Sequence, residues 1–272
     1  MSRLASHVAL ITGASSGIGA ALAGELARQS ADVALLARRA DRLAAVAAEV
    51  ERAGRRSLAL TTDVTVDGDV ERAVAATLAA FGRLDIVIAN AGFGVVGLVE
   101  RLTLDDYRRQ FETNVFGVLR TVKASLPALK ASRGRLAIVG SVAGYVATPG
   151  ASPYAMSKFA VRGLAAALGY ELAPAGVSVT LVIPGYVEAE IRRVDNTGVF
   201  RAEAREPVPA RLIMSAPRAA RVIVRAIARR RREVVITGHG RLGVFVQRHA
   251  PWLVAAAIRR FGLKARPEPA RR

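Results

Sequence analysis

Thr12-Gly13-Ala14-Ser15-Ser16-Gly17-Ile18-Gly19 stands directly after the apolar run Val8–Ile11 and directly before an alanine-rich segment. Glycines at this spacing let a chain turn sharply out of a strand and let its backbone lie close against a ligand. The helix that follows presents free N–H groups and the positive end of its dipole, a setting that suits a pyrophosphate. A strand, a glycine turn and a helix in this order point to a dinucleotide-type α/β fold. Gly13, Ser15, Ser16, Gly17, Ile18 and Gly19 are accordingly candidate cofactor contacts. The alternative for the same stretch is an ordinary strand-to-helix turn.

The rest of the chain repeats the pattern. Short apolar runs at Val8–Thr12, Val33–Ala37, Ser57–Thr61, Ile86–Ala89, Leu136–Gly140, Val177–Ile183 and Glu233–Ile236 alternate with longer helical segments. Runs that are apolar throughout read as strands buried on both faces, and helical links between them give parallel pairing. The expected fold is one α/β unit, a Rossmann-type doubly wound parallel sheet of seven strands with helices on both faces, over residues 1–240. A basic, apolar extension over 241–272 follows, expected to be helical. At 52% hydrophobic residues, the 272-residue chain can fill such a core. The absence of cysteine excludes disulfides, a thiolate nucleophile and cysteine zinc sites, and the three histidines are too scattered for a metal centre. Residues 1–7 are too short for a secretory signal, and no run is long and apolar enough to span a bilayer. A cytoplasmic location is expected.

Charge is unevenly spread. Of the formal net +18, the segment from Pro207 onward contributes most, with sixteen Arg or Lys against Glu233 and Glu268. Such a tail suits an anionic partner. Pro217–Arg232 reads as a helix with Arg218, Arg221, Arg225, Arg229 and Arg232 along one side, either a solvated face or an anion-binding one.

The second apolar run ends in Ala37-Arg38-Arg39 where an acid would accept from an adenosine ribose. A guanidinium instead pairs with a 2′-phosphate, so NADP(H) is expected over NAD(H). The alternative is that both arginines serve the next helix. Asp63, with Val64 beside it, either accepts from an adenine amino group or starts a helical turn. Tyr154-Ala155-Met156-Ser157-Lys158 puts a phenol and an ammonium four apart, on one face of a helix. A nearby ammonium is expected to lower the phenol from its reference value near ~10 and fit it for proton transfer. Ser141 ends the fifth apolar run, with a hydroxyl that can polarise a carbonyl.

With Asn90-Ala91-Gly92, Asn114 and Pro184-Gly185 in the same order, the chain resembles the short-chain dehydrogenase/reductase family over roughly residues 5–240. The resemblance implies that Tyr154 is the general acid or base, that Lys158 tunes it and holds the nicotinamide ribose, and that Ser141 orients the substrate carbonyl. It implies that Asn114 holds a relay water, that Asn90 steadies the sheet beside the cofactor, and that Pro184, Gly185 and Val187 hold the nicotinamide ring. It also implies a homodimer or homotetramer. One departure stands out: Ala189 replaces the threonine often found two residues after the family's valine. One lost hydrogen bond, worth about 1 kcal/mol, predicts weaker cofactor binding unless Glu188 or Glu190 compensates.

Substrate contacts are expected from Ser141, Tyr145, Tyr154 and Tyr186, with Phe93, Val95, Val142, Val146, Pro149 and parts of 191–214 completing an apolar pocket for a lipophilic carbonyl or alcohol. Arg192–Arg211 is similar to the family's substrate lid. In the extension, apolar residues around Trp252 flanked by arginines suit either the surface of an anionic membrane or a helix pair against a partner subunit. Two other classes are open: a non-catalytic nucleotide sensor, and a nucleic-acid binder, for which no binding motif is present.

Overall fold

A computed structural model describes residues 4–204 and 206–261. The part of the extension beyond these, with Lys264, lies outside the described residues. Seven parallel strands, β1 (Val8–Thr12), β2 (Asp32–Ala37), β3 (Ser57–Thr61), β4 (Ile86–Ala89), β5 (Arg135–Val139), β6 (Ser178–Ile183) and β7 (Glu233–Val235), form one sheet in the order β3-β2-β1-β4-β5-β6-β7. Each expected strand is present within one residue at either end. The order reverses direction between β1 and β4, and a sheet of this kind binds ligands at the carboxyl ends of its strands at that point.

The two faces of the sheet carry separate cores. Alternate residues of β1 divide between them: Ala9 and Ile11 pack under α1 (Gly17–Arg28), α2 (Ala40–Arg52) and α7 (Ala216–Ala228), while Val8 and Leu10 pack under α3 (Asp69–Phe81), α5 (Gly117–Ala131) and α6 (Ser152–Glu171). Central β1 and β4 are fully buried, whereas the edge strands β3 and β7 are only partly so. The apolar Ser57–Thr61 run is therefore half solvated, because an edge strand has a neighbour on one side only.

The expected helix Pro217–Arg232 is shorter than its arginine spacing implied. It runs Ala216–Ala228; Arg229 is its C-cap and Arg230 takes a left-handed φ of 51°. Arg218, Arg221 and Arg225 stay on its exposed face, and Arg229 and Arg232 lie beyond its end.

One helical stretch is widened. Between α4 (Leu104–Phe111) and α5, residues Glu112–Phe116 form a π turn in which Gly117 N–H donates to Glu112 O. Such bulges insert an extra residue and commonly mark functional positions. Here the turn carries Asn114.

The extension is helical from Gly238: α8 (Gly238–His249), capped by Thr237, is followed by α9 (Pro251–Phe261). α8 is tied to the sheet by Val244, which is buried, and by Arg248 Nη2, which donates to Glu233 Oε2 at 2.8 Å and to the Tyr145 hydroxyl at 2.9 Å. α9 packs on α8 and leaves Trp252 and Leu253 exposed. Among the described residues no helix is long and apolar enough to cross a membrane.

Asp85, at the start of β4, is buried and binds β1 to the sheet. Its Oδ2 accepts from Val8 N at 2.9 Å and from Arg83 Nε at 2.8 Å, and its Oδ1 accepts from Arg83 Nη2 at 2.7 Å. Asp85→Ala strands a buried N–H and is expected to cost about 1–3 kcal/mol in urea unfolding at neutral pH. A loss below ~0.5 kcal/mol, the range of a surface change, is the result that contradicts this role.

Candidate active site

The glycine loop is built by contacts across the switch point. Thr12 Oγ1 accepts from the backbone N–H groups of Asn90 at 3.0 Å and Ala91 at 3.1 Å. Asn90 Nδ2 donates back to Thr12 O at 2.9 Å and Gly13 O at 3.1 Å. Gly13 has a φ of 67°, and a Cβ there would stand 2.8 Å from Ala91 Cα; at Gly19 it would strike Gly13 O. Only glycine fits these two crossings, so the start of α1 lies open to the cleft without side chains in front of it.

That cleft has a volume of about 430 Å3, within the range of ligand and cofactor sites. Its walls come from the loop at Gly13–Gly19, the end of β2 at Leu36–Arg39, Thr62–Val64, Asn90–Phe93, Val139–Ser141, Tyr154, Lys158 and the strand end Pro184-Gly185 with Val187. The structure thus brings every expected cofactor contact to one cleft. The backbone cradle fits the pyrophosphate of a nicotinamide dinucleotide.

Asn114 Nδ2 donates to Phe93 O at 3.0 Å and to Ser157 Oγ at 3.1 Å, while its Oδ1 accepts from Phe93 N at 3.1 Å. The side-chain amide is committed to holding the 90–95 segment and α6. Gln110, one turn earlier, does the same: its Oε1 accepts from Val95 N at 2.6 Å and its Nε2 donates to Phe93 O at 2.9 Å. Gln110 and Ser157 were not singled out in the sequence. Gln110 carried a signal, a polar residue four before Asn114 on a helix.

Tyr154 projects from α6 into the cleft beside Ser141. Burial pushes its phenol above the ordinary value, against which a hydrogen bond with Ser141 and the charge of Arg192 pull it down. The groups that pull the phenol down are Ser141 and Arg192. The Lys158 ammonium donates to Val139 O at 2.9 Å and lies 5.7 Å from the Tyr154 ring centre. Burial lowers its own pKa from 10.5 to about 8. Arg192, the first residue of the stretch expected to form the substrate lid, lines the cleft, pairs with Glu206 at 2.6 Å and donates to Val187 O at 3.1 Å.

Two expected substrate contacts point elsewhere. Tyr145 is 5% exposed, its hydroxyl donates to Glu233 Oε2 at 2.5 Å, and the guanidinium groups of Arg162 and Arg248 lie 3.8 and 4.9 Å from its ring centre. It is a core tyrosine with its polar end satisfied by β7. Tyr186 is exposed and stacks on His239 with ring centres 5.3 Å apart. Val95 is fully buried, and Val142 and Val146 pack against the core. Of the expected apolar residues, Phe93 lines the cleft, and from the 191–214 stretch Ile191, Val194 and Phe200 do so.

The segment after β6 folds over these walls. Val187 bridges to Met214 at its base, and Asn196 clasps Val96 through bonds of 3.0 and 2.8 Å at its tip. Glu188 Oε2 lies 3.5 Å from Ala216 N, and Glu190 faces Arg39. Both are hydrogen-bond acceptors when ionised, so neither restores the donor that a threonine at 189 would supply to a phosphate.

A glycine cradle at a sheet's switch point, with a serine, a tyrosine and a lysine opposite it, defines a nicotinamide-cofactor oxidoreductase of the doubly wound α/β class. The model of the short chain dehydrogenase family matches residues 7–199. The chain is 40% identical over 192 residues to an A-factor type gamma-butyrolactone 1′-reductase of Streptomyces virginiae, covering 69% of this chain and 74% of the relative. It is 37% identical over 224 residues to an 11-beta-hydroxysteroid dehydrogenase-like protein, 4A, of Arabidopsis thaliana, covering 82% and 73%. An alcohol dehydrogenase of the archaeon Thermococcus sibiricus, solved with 5-hydroxy-NADP, superposes with a TM-score of 0.74 at 30% identity, over 85% of this chain and 96% of that one. The chain belongs to the short-chain dehydrogenase family.

With its pKa at about 8, folded Lys158 releases its proton more readily than the unfolded chain, whose lysine titrates near 10.5. The unfolded chain therefore binds more protons across that window, and stability rises with pH through it. Lys158→Met is expected to stabilise the free protein by about 1–3 kcal/mol at pH 7. Its advantage should shrink between pH 8 and 10.5. Denaturant melts that give the same difference at pH 7 and pH 10 are the contrary result.

Proposed function

We propose that the chain is an NADP(H)-dependent oxidoreductase that interconverts a lipophilic ketone or aldehyde and its alcohol. The observation that carries this reading is the placing of the Tyr154 and Ser141 hydroxyls together on the wall of a cleft that also holds the glycine loop. The nicotinamide cofactor supplies or accepts the hydride. The raised Tyr154 phenol stays protonated at neutral pH, ready to give its proton to a carbonyl oxygen as that oxygen gains charge. Ser141 donates to the same oxygen and orients it. Arg192 favours the phenolate left behind. Lys158, held by Val139 O, is placed to bind the ribose and to carry charge near the phenol.

Arg38 and Arg39 at the end of β2 support the choice of NADP(H): both line the cleft, and Arg39 is fixed over the loop by Ser15 and Ser16. Arg38 Nη1 stands 4.0 Å from Asp63 Oδ2, while Asp63 Oδ1 accepts from Thr65 N at 2.9 Å in a local turn. Asp63 thus serves the turn with one oxygen and faces the cleft rim with the other. Phe93, Ile191, Val194 and Phe200 support a lipophilic substrate. The competing reading, a nucleotide sensor without turnover, leaves the serine, tyrosine and lysine without a purpose.

NADPH oxidation across a panel of lipophilic ketones and aldehydes, with NADH in parallel, tests the reading. Turnover with NADPH ahead of NADH is expected. Tyr154→Phe is expected to lower kcat by roughly 10²–10⁴-fold while leaving NADPH affinity close to wild type. A preference for NADH defeats the arginine argument, and an active Tyr154→Phe defeats the assignment of the proton.

The extension supports a second property, contact with an anionic membrane surface. Leu242, Phe245, Trp252 and Leu253 are exposed apolar residues on α8 and α9, with Arg241, Arg259 and Arg260 exposed beside them. Apolar residues beside arginines suit an interfacial helix. Trp252 is the sole tryptophan, so its emission reports directly. A blue shift with phosphatidylserine vesicles and none with phosphatidylcholine is expected; equal spectra with both speak against membrane contact.

A further inference from the structure

Three separate stretches of chain meet at one edge of the cleft. Ser15 and Ser16 belong to the glycine loop, Arg39 and Arg42 to the start of α2, and Glu190 to the segment after β6. Arg39 Nη2 donates to Ser15 Oγ at 3.1 Å and to Ser16 Oγ at 2.9 Å. The same nitrogen stands 2.8 Å from Glu190 Oε2, and Arg42 Nη1 stands 3.2 Å from Glu190 Oε1. Ala189, the residue before, rests on the loop: a Cβ at Gly17 would lie 3.1 Å from the Ala189 methyl. The segment therefore crosses the mouth of the cleft at the loop and sets a carboxylate on its cationic wall.

The carboxylate is charged under working conditions. Its partial burial favours the neutral acid, but hydrogen bonding and charge from Arg39, with a bond from Ser16 and the charge of Arg42, hold it below the ordinary carboxylate range. A 2′-phosphate carries close to two negative charges at neutral pH. Arg39 is fork-shaped and can serve two acceptors, yet two anions on one guanidinium repel each other in a partly buried setting. NAD(H) carries no such phosphate and meets no such conflict. The adenosine side of the cleft thus contains both the cation that favours NADP(H) and an internal anion that works against it.

We infer that Glu190 is a specificity-determining residue for the cofactor: it competes with a 2′-phosphate for Arg39 and Arg42 and so narrows the margin between NADP(H) and NAD(H). The inference rests on the proposed use of Arg39 as the phosphate partner. It gives the loop after β6 a second task. NADP(H) has to share or displace the Glu190 contact, whereas NAD(H) leaves it in place. The segment that carries Ile191 and Arg192 into the substrate cleft is thereby coupled to which cofactor is bound.

Direct binding tests this without turnover. Dissociation constants of NADPH, NADH, adenosine 2′,5′-bisphosphate and 5′-AMP would be measured by calorimetry for wild type, Glu190→Gln and Arg39→Ala. Glu190→Gln is expected to tighten NADPH and the bisphosphate about tenfold, the size of one removed like-charge contact, and to leave NADH and 5′-AMP within about twofold. Unchanged or weakened NADPH and bisphosphate binding in Glu190→Gln, with a clear loss of both in Arg39→Ala, overturns the role of Glu190 and spares the phosphate site. If Arg39→Ala leaves the NADPH-to-NADH ratio at its wild-type value, the phosphate reading of Arg39 fails, and the inference falls with it. Equal tightening of all four ligands by Glu190→Gln shows simple obstruction of the cleft and also refutes selection. Thermal melts of both variants without ligand establish that the folded state is retained.

Discussion

Hydrogen bonds between Thr12 and Asn90 hold the sheet together where its winding reverses. At that point two neighbouring strands send their following loops to opposite faces, and their paired residues end at Ile11 and Ile88. The Thr12 hydroxyl accepts from two successive backbone N–H groups of the second strand end, and the Asn90 amide returns two bonds to the first. All four bonds engage main-chain groups, so they fix backbone rather than side-chain positions. The glycine loop can then approach Asn90 and Ala91 so closely that no Cβ fits, and the opening of α1 faces the cleft bare. Asp85 performs a similar service at the other end of β4, with a charge in place of a hydroxyl.

From that frame the site's chemistry follows as a balance between burial and local compensation. Lys158 and Tyr154 rise from one helix, and burial presses both toward their neutral forms. For the phenol this keeps a proton in place, with Ser141 and Arg192 limiting how tightly it is held. For the lysine it is a standing cost of folding, met only in part by the Val139 carbonyl. Stability is given up at a position where charge is useful, a common feature of working sites.

The fold was legible because its signals are local. A strand buried on both faces is a continuous apolar run, and seven such runs separated by helices leave little choice of topology. The glycine loop and the Tyr154/Lys158 spacing are also complete within a few residues. What remained hidden depends on partners far apart in the chain. Tyr145 looked like a pocket residue because it follows Ser141, yet its hydroxyl is claimed by Glu233, eighty-eight positions on. Arg192 sat in an aperiodic stretch, and the contacts at Val187, Asn196 and Glu206 set that stretch against the cleft that Tyr154 lines. The Arg39–Glu190 pair spans two walls of one cleft, a relation invisible in either segment alone. Arg229 and Arg232 misled in the opposite sense, since their spacing continued a helix that the left-handed Arg230 ends.

Arg248 on α8 donates to both the Tyr145 hydroxyl and the Glu233 carboxylate. Tyr145 closes the short turn that Ser141 caps, and Glu233 opens the last strand. One guanidinium from the C-terminal extension therefore fastens the neighbourhood of the site to α8, on which the exposed α9 packs. The extension is thus attached to the body by a side chain as well as by the main chain: Arg248 joins α8 to the residue that ends the turn capped by Ser141.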